Sequence, residues 1–147
     1  CSNNLVTSLG TQARLYRQMT GDARFAGMES AALDWLFGVN PWGVSMIVGY
    51  PAAGQVALDP HSIHSRQIGV HVILGGLLDG PVKKSIFQNL QYVRLTQPDE
   101  YAPFNTSDVV YHDDFGDYST NEPIMDGTAN LSYLLAAMAG PALASRK

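Results

Sequence analysis

The chain has 147 residues, 46% of them hydrophobic and 15% charged, with a mean hydropathy near zero and a formal net charge of −4. That balance fits one ordinary globular domain of soluble type and excludes a disordered or fibrous chain. Nine scattered basic residues offer no positive stripe to a phosphate backbone, so nucleic acid is excluded as a partner, and no apolar run reaches the roughly 18 to 20 residues of a membrane span.

Cys1 is the only cysteine, which rules out an intrachain disulfide and a Cys-based zinc site. A start at Cys1-Ser2, without initiator Met or targeting segment, reads as a piece of a longer protein rather than as a lipidated terminus. Ser2 is a serviceable N-cap, and Leu5, Leu9, Ala13, Tyr16 and Met19 recur at steps of three and four, marking one face of an amphipathic helix that ends near Thr20-Gly21. Asp22 can cap a second helix, in which Phe25, Met28, Ala32, Trp35 and Leu36 repeat the pattern until Gly38 and Pro41 stop it. The link is so short that the two helices are expected to form an antiparallel αα-hairpin.

From Asn40 to Gln67 prolines and glycines punctuate a stretch with no helical period, which predicts a long loop with an extended piece at Ser45 to Val48. Loops of this length are more often functional than idle. Gly69 to Leu78 reads as a short, nearly all-apolar helix stopped by Gly80-Pro81. Lys84 to Val93 reads as an amphipathic turn, and Leu95 to Thr120 as a second irregular stretch. In the last element Asn121 is the expected N-cap and Pro123 sits in the first turn. Ile124, Thr128, Leu131, Leu135 and Met138 share a face, and Gly140-Pro141 ends the helix. The predicted class is all-α, helical hairpins joined by long irregular loops, with residues 1–147 forming one unit.

Two stretches carry chemistry. "PHSIHSR" sets His61, His64 and Arg66 close together. Two imidazoles without a third ligand make a poor metal site, which leaves a substrate clamp or an exposed polar loop. "YHDDFGDYSTNEPIMDGTAN" holds Asp113, Asp114, Asp117, Glu122 and Asp126, with no Lys or Arg between Arg94 and Arg146. Such charge must be solvated, neutralised by a metal, or relieved by raised pKa values. Glu122, expected beside a helix N-terminus, either complements the macrodipole or acts as a general acid whose proton is retained by burial and by the upstream aspartates. Calcium suits clustered carboxylates, although Asp113, Asp114 and Asp117 lack EF-hand spacing. "LGGLLDG" does not fit a dinucleotide fingerprint. Aromatic residues, among them Trp42, Tyr101, Phe104, Phe115 and Tyr118, crowd the irregular stretches, and flat rings beside carboxylates suit a sugar.

In order along the chain, "SNNL", "TGDARF", "ALDWLFGVNPWGVSMIVGY", "HSR", "GGLLDGP" and "VVYHDDFGDYSTNEPIMDGTANLSYLLA" resemble the C-terminal part of glycoside hydrolase family 9, the inverting cellulases and related β-glucanases. Tyr111, Asp113, Tyr118 and Glu122 match one family signature. The resemblance implies that Glu122 is the general acid and that Asp113, in the active site, orients substrate or the attacking water. Ile63, His64 and Arg66 match a second signature, which implies that His64 and Arg66 bind the glucose unit at the cleavage point. Tyr118 and Trp42 are further candidates, as packing or sugar-facing rings. Ile124 stands where the family usually has a small residue, Thr128 where it usually has Asn, and the stretch from Gly49 to Pro60 leaves the pattern.

The resemblance further implies an (α/α)6 barrel of which residues 1–147 are the C-terminal portion. Inversion needs an acid and a base roughly 6.5 to 9.5 Å apart. The family's base belongs to an Asp-Ala-Gly-Asp motif that this sequence does not contain, so the chain alone is expected to be inactive. Implied partners are a β-glucan or cello-oligosaccharide and the N-terminal part of the same domain, without nucleic acid or membrane. Apolar helix faces left uncovered would favour self-association. The implied location is secreted or cell-envelope, and no cofactor is implied. The alternative is a non-catalytic helical carbohydrate-binding or interaction module with an acidic, calcium-binding loop.

Overall fold

The computed structural model describes residues 2–70 and 72–144. Helix α1 spans Ser2–Thr20, α2 Ala26–Leu36, α3 Ile63–Gln67, α4 Lys84–Phe87 and α5 Met125–Ala144, with a 3-10 turn at Ala102–Phe104. Strands β1 (Leu77–Leu78) and β2 (Pro123–Ile124) form a two-residue antiparallel ribbon that pairs Leu77 with Ile124 and Leu78 with Pro123. The described chain is thus mostly helical with very little strand, compatible with the all-α class.

Helix α1 has the expected limits, but its leucine face is not the one that packs. It buries Asn3, Thr7, Gly10, Ala13 and Arg14, while Leu5 is 72% and Met19 83% exposed. The small residue explains the choice: a Cβ on Gly10 would press on the side chains of Ala32 in α2 and Leu134 in α5, so Gly10 marks the closest approach of three helices. The buried polar residues have partners. Asn3 donates to the Leu78 carbonyl at 3.0 Å and accepts from the Trp35 indole at 3.1 Å, tying α1 to β1 and α2. Arg14 and Arg17 hold the two oxygens of Glu29 in α2 at 2.6 and 2.8 Å.

Arg14 also donates to the carbonyl of Ala137 in α5. In an unbroken helix that carbonyl would accept from residue 141, and Pro141 has no N–H to give. The guanidinium satisfies the orphaned acceptor, and α5 continues through Gly140-Pro141, where the sequence predicts a stop, to Ala144. Asp22 does not cap α2, which starts after Phe25. Its carboxylate instead accepts from the Arg24 amide at 2.9 Å in a local turn.

Gly69 to Leu78 is not a helix. Gly69 and Gly75 take positive φ values of 80° each, outside helical space, and the stretch ends in β1. Its amides and carbonyls pair with the Asn40–Gln67 segment: Gly75 donates to Val48 and Val48 to Gly76, each at 2.9 Å, and Leu78 donates to Met46 at 2.9 Å. Only its end, Gly76 to Leu78, is buried, while Val70, Val72, Ile73 and Leu74 are exposed, a division that the composition of a short apolar run does not reveal. The 40–67 segment is correspondingly less loop than expected. Val44, Met46, Ile47 and Val48 are buried with Leu36, Leu77, Leu78, Tyr111 and Leu131 in the core, and its last residues form α3. Lys84 to Val93 yields only the single turn α4.

Candidate active site

Glu122 stands immediately before β2, not in the first turn of α5, which begins at Met125. A residue preceding proline is pushed toward extended backbone, and Pro123 holds Glu122 in the ribbon. Its carbonyl accepts from the Asp79 amide at 2.8 Å, and the flanking carbonyls of Thr120 and Asn121 accept from the amides of Gly80 at 3.0 Å and His61 at 2.8 Å. Asn121 is consequently not a helix cap. It is fully buried, donating to the Asp59 carbonyl at 2.8 Å and to Asp113 at 2.9 Å, and accepting from the Tyr111 hydroxyl at 3.2 Å.

The Glu122 side chain is open to a cavity of about 250 Å³ that it shares with His61, Ser62, Ile63, His64, Ser65, Ile73 and Pro123. Desolvation by these walls is the largest influence on its carboxyl and pushes it above the usual glutamate value. His61 pulls it down, Asp79 pushes it up and His64 pulls it down, in that order of size. The residue that assists is thus Asp79. It is buried, one of its carboxylate oxygens lacks a partner among the described residues, and burial, with Asp126 and Asp117 adding, raises it to about 6. Asp79 carried no motif; only its place in "GGLLDGP" could have drawn attention to it.

The upstream aspartates, expected to hold the proton on Glu122, point elsewhere. Asp113 accepts from the amides of Leu58 at 2.6 Å and Asp59 at 3.1 Å as well as from Asn121, and it faces a separate hollow of about 140 Å³. Asp114 is fully buried. Burial alone would raise its carboxyl, but the amides of Gln97, Gly116 and Thr96 outweigh burial and hold it below the usual carboxylate range. Asp117 accepts from the Ser119 amide at 2.8 Å, the Ser119 hydroxyl at 2.7 Å and the Thr120 hydroxyl. These three aspartates are folded inward onto backbone and side-chain donors, whereas Glu122 and Asp126 of the same run remain exposed. Among the described residues no three His, Cys, Asp or Glu side chains converge as a metal would require.

Of the remaining candidates, His64 lines the Glu122 cavity and is exposed. Arg66 lies beside it on α3, stacked 3.8 Å over the Phe115 ring and 3.8 Å from Asp59, outside the cavity lining. Tyr118 is half-buried, accepts from the Gln91 amide at 2.9 Å and sets its edge against His61. Trp42 is a core residue, 6% exposed, packed on Trp35 and Tyr111, with its indole donating to Asn105 at 2.8 Å. His61 is buried, and its Nδ1 lies 2.5 Å from the Phe115 carbonyl, so that nitrogen carries the proton.

Asp113→Ala is expected to cost about 1–3 kcal/mol, because it strands the Leu58 and Asp59 amides without an acceptor and removes one acceptor of the Asn121 side-chain amide. A thermal unfolding curve measures the loss.

No helix among the described residues is long and apolar enough to cross a membrane. No curated protein matches the chain, and no solved structure does. The sequence model described as glycosyl hydrolase family 9 matches residues 1–135, from α1 through the first half of α5. The ribbon, the Glu122 cavity and the inward-turned aspartates all lie within that match, and the chain belongs to glycosyl hydrolase family 9.

Proposed function

We propose that these residues are the C-terminal part of the catalytic domain of an inverting glycosidase that cuts β-1,4-glucosidic bonds in cellulose or a related β-glucan, with Glu122 as general acid. The observation that carries this reading is a carboxyl raised by desolvation that opens onto a cavity walled by two histidines, within a family 9 sequence. A general acid must keep its proton near the working pH and still reach the leaving oxygen, and an open, partly desolvated carboxyl does both. His64 would meet the hydroxyls of the sugar in the cavity. Asp113 would act as a positioning residue, since it fixes Asn121, the neighbour of Glu122. Arg66, held by Phe115 and Asp59, would meet a sugar only beyond the cavity rim.

The water-activating base would come from residues outside these 147, in the N-terminal part of the same domain. Helices α1 and α2 would be one hairpin of an (α/α)6 barrel, and the exposed Leu5, Leu9 and Met19 suit burial beneath the rest of that barrel. Alone, the same face would favour self-association. The polymeric substrate implies a secreted or cell-envelope enzyme.

The test is stereochemical. Proton NMR of fresh hydrolysate from the complete enzyme acting on cello-oligosaccharides is expected to show the α-anomer first, while the isolated 147-residue chain leaves them intact. First release of the β-anomer, or turnover by the isolated chain, overturns the reading.

A further inference from the structure

Strand β1 ends at Leu78 and β2 begins at Pro123, and the register that pairs these two residues sets Asp79 opposite Glu122. The Asp79 amide donates to the Glu122 carbonyl at 2.8 Å, the bond that this register requires. Residues directly opposite in an antiparallel pair project from the same face with Cβ atoms roughly 4.5–5.5 Å apart, a separation that two carboxyl groups can bridge. The ribbon therefore sets two acids side by side, Glu122 open to the cavity and Asp79 buried.

Asp79 is fixed from both sides. Its carbonyl accepts from the Asn3 amide at 3.0 Å, the Leu78 carbonyl accepts from the Asn3 side chain at 3.0 Å, and the Gly80 amide donates to the Thr120 carbonyl at 3.0 Å. Gly80 takes a φ of 83°, and a side chain there would collide with Asn3, so the glycine lets the first turn of α1 close on this end of the ribbon. Two further carboxylates act on Asp79, and both have donors: Asp117 those of Ser119 and Thr120, Asp126 the Asn4 side-chain amide at 2.6 Å. Asp79 lacks such help. Its Oδ1 is shut off from solvent without a partner among the described residues, and no Lys or Arg among them forms an ion pair with it. Because that oxygen is already enclosed, chain packed against the outside of these residues does not supply the partner.

A buried carboxylate oxygen without a donor carries the full cost of desolvation, which a neutral carboxyl avoids. Burial, with Asp126 and Asp117 adding, raises Asp79 to about 6. Below that value it is an O–H donor, and above it the negative charge that raises Glu122. His61 and His64, the other titratable groups on the cavity, act on Glu122 in the opposite sense. We propose that Asp79 is a positioning residue for the acid: its neutral carboxyl donates an O–H to the Glu122 carboxyl and stabilises the carboxylate left there when the proton moves to the leaving sugar oxygen. In that step the Glu122 O–H bond breaks, the leaving oxygen gains the proton, and Asp79 keeps its own. This rests on the reading of Glu122 as general acid.

The experiment compares Asp79→Asn and Asp79→Ala in the complete enzyme, on cello-oligosaccharides and on a nitrophenyl glycoside, at a pH about one unit below the Asp79 value. Asn is neutral and keeps an N–H to donate, so its kcat on cello-oligosaccharides is expected to stay within about threefold of the parent. Asp79→Ala is expected to lose about tenfold in kcat with KM little changed, the scale of one hydrogen bond to a developing charge. On the nitrophenyl glycoside, whose leaving group needs no proton, the Ala loss is expected to vanish. Thermal unfolding shows whether each variant is folded, and Asp79→Leu, which keeps the volume without a donor, takes the place of Asp79→Ala if that chain does not fold. Equal kcat values for the donor and donor-less variants, or a loss of the same size on both substrates, overturn the proposal and leave the Glu122 reading standing. Equal losses for Glu122→Gln on the two substrates overturn that reading and the proposal with it.

Discussion

Glu122→Gln is expected to lower kcat on cello-oligosaccharides by about 10²–10⁴-fold in the complete enzyme, with KM little changed. Gln fills the same space and keeps a hydrogen-bonding head but has no proton to transfer to a leaving sugar oxygen. The loss should therefore shrink on a nitrophenyl glycoside, whose leaving group needs no protonation. Equal losses on both substrates would show that Glu122 binds substrate or supports the ribbon instead. Asp79→Asn supplies the companion result. Removing the negative charge that pushes the Glu122 carboxyl up lowers the pKa of the acid, so the alkaline limb of the kcat profile moves to lower pH. A profile that stays in place, with Asp79→Asn folded, would remove Asp79 from the electrostatics of the site.

Glu29→Ala is expected to cost about 3–5 kcal/mol of stability, because it leaves Arg14 buried without its counter-ion. The effect reaches beyond one pair. Arg14 also satisfies the Ala137 carbonyl that Pro141 cannot, so a displaced guanidinium loosens the contact between α1 and the end of α5 as well as the contact with α2. At this size the melting temperature should fall by roughly 10 °C. A fall of only a degree or two would show that the pair behaves like a surface salt bridge.

The same group predicts a pH dependence. Burial would raise the Glu29 carboxyl, but hydrogen bonds and charge from Arg17 and Arg14 outweigh burial and hold it below 4.5. The folded state then binds fewer protons than the unfolded state in acid. Its stabilisation is complete above pH about 4.5 and drains away as pH falls through the depressed value. In acid unfolding, Glu29→Gln should flatten that limb, since Gln cannot titrate.

Much of the helical plan was legible because periodicity is a local property. The limits of α1 and the core position of Leu131, with Leu135 packed against it, follow from residues three and four apart. Ile124 of the same expected face lies in β2, however, Met138 is exposed, and Leu134 is the more deeply buried leucine. What failed involved a choice of partner. The Leu5, Leu9 and Met19 stripe marks an amphipathic helix correctly, yet Gly10, Ala13 and Arg14 are the residues that pack, because only a small residue lets α1 approach both Ala32 and Leu134. Gly69 to Leu78 reads as a helix until Val48 and Met46 are placed beside it to take its hydrogen bonds.

The site divides in the same way. The spacing of Tyr111, Asp113, Tyr118 and Glu122 and the "HSR" triplet carried the resemblance that the family match upholds over residues 1–135. The sequence by itself determined the family, the helical character of both ends of the chain, and the presence of unpaired acidic residues before the last helix. Tertiary structure decided what those residues face. Asp113 found the amides of Leu58 and Asp59, Asp114 those of Thr96 and Gln97, and Glu122 came to rest beside Asp79 and two histidines. A carboxylate's protonation depends on donors and charges within a few ångströms, and here those are supplied by segments far away in sequence, which no local pattern encodes.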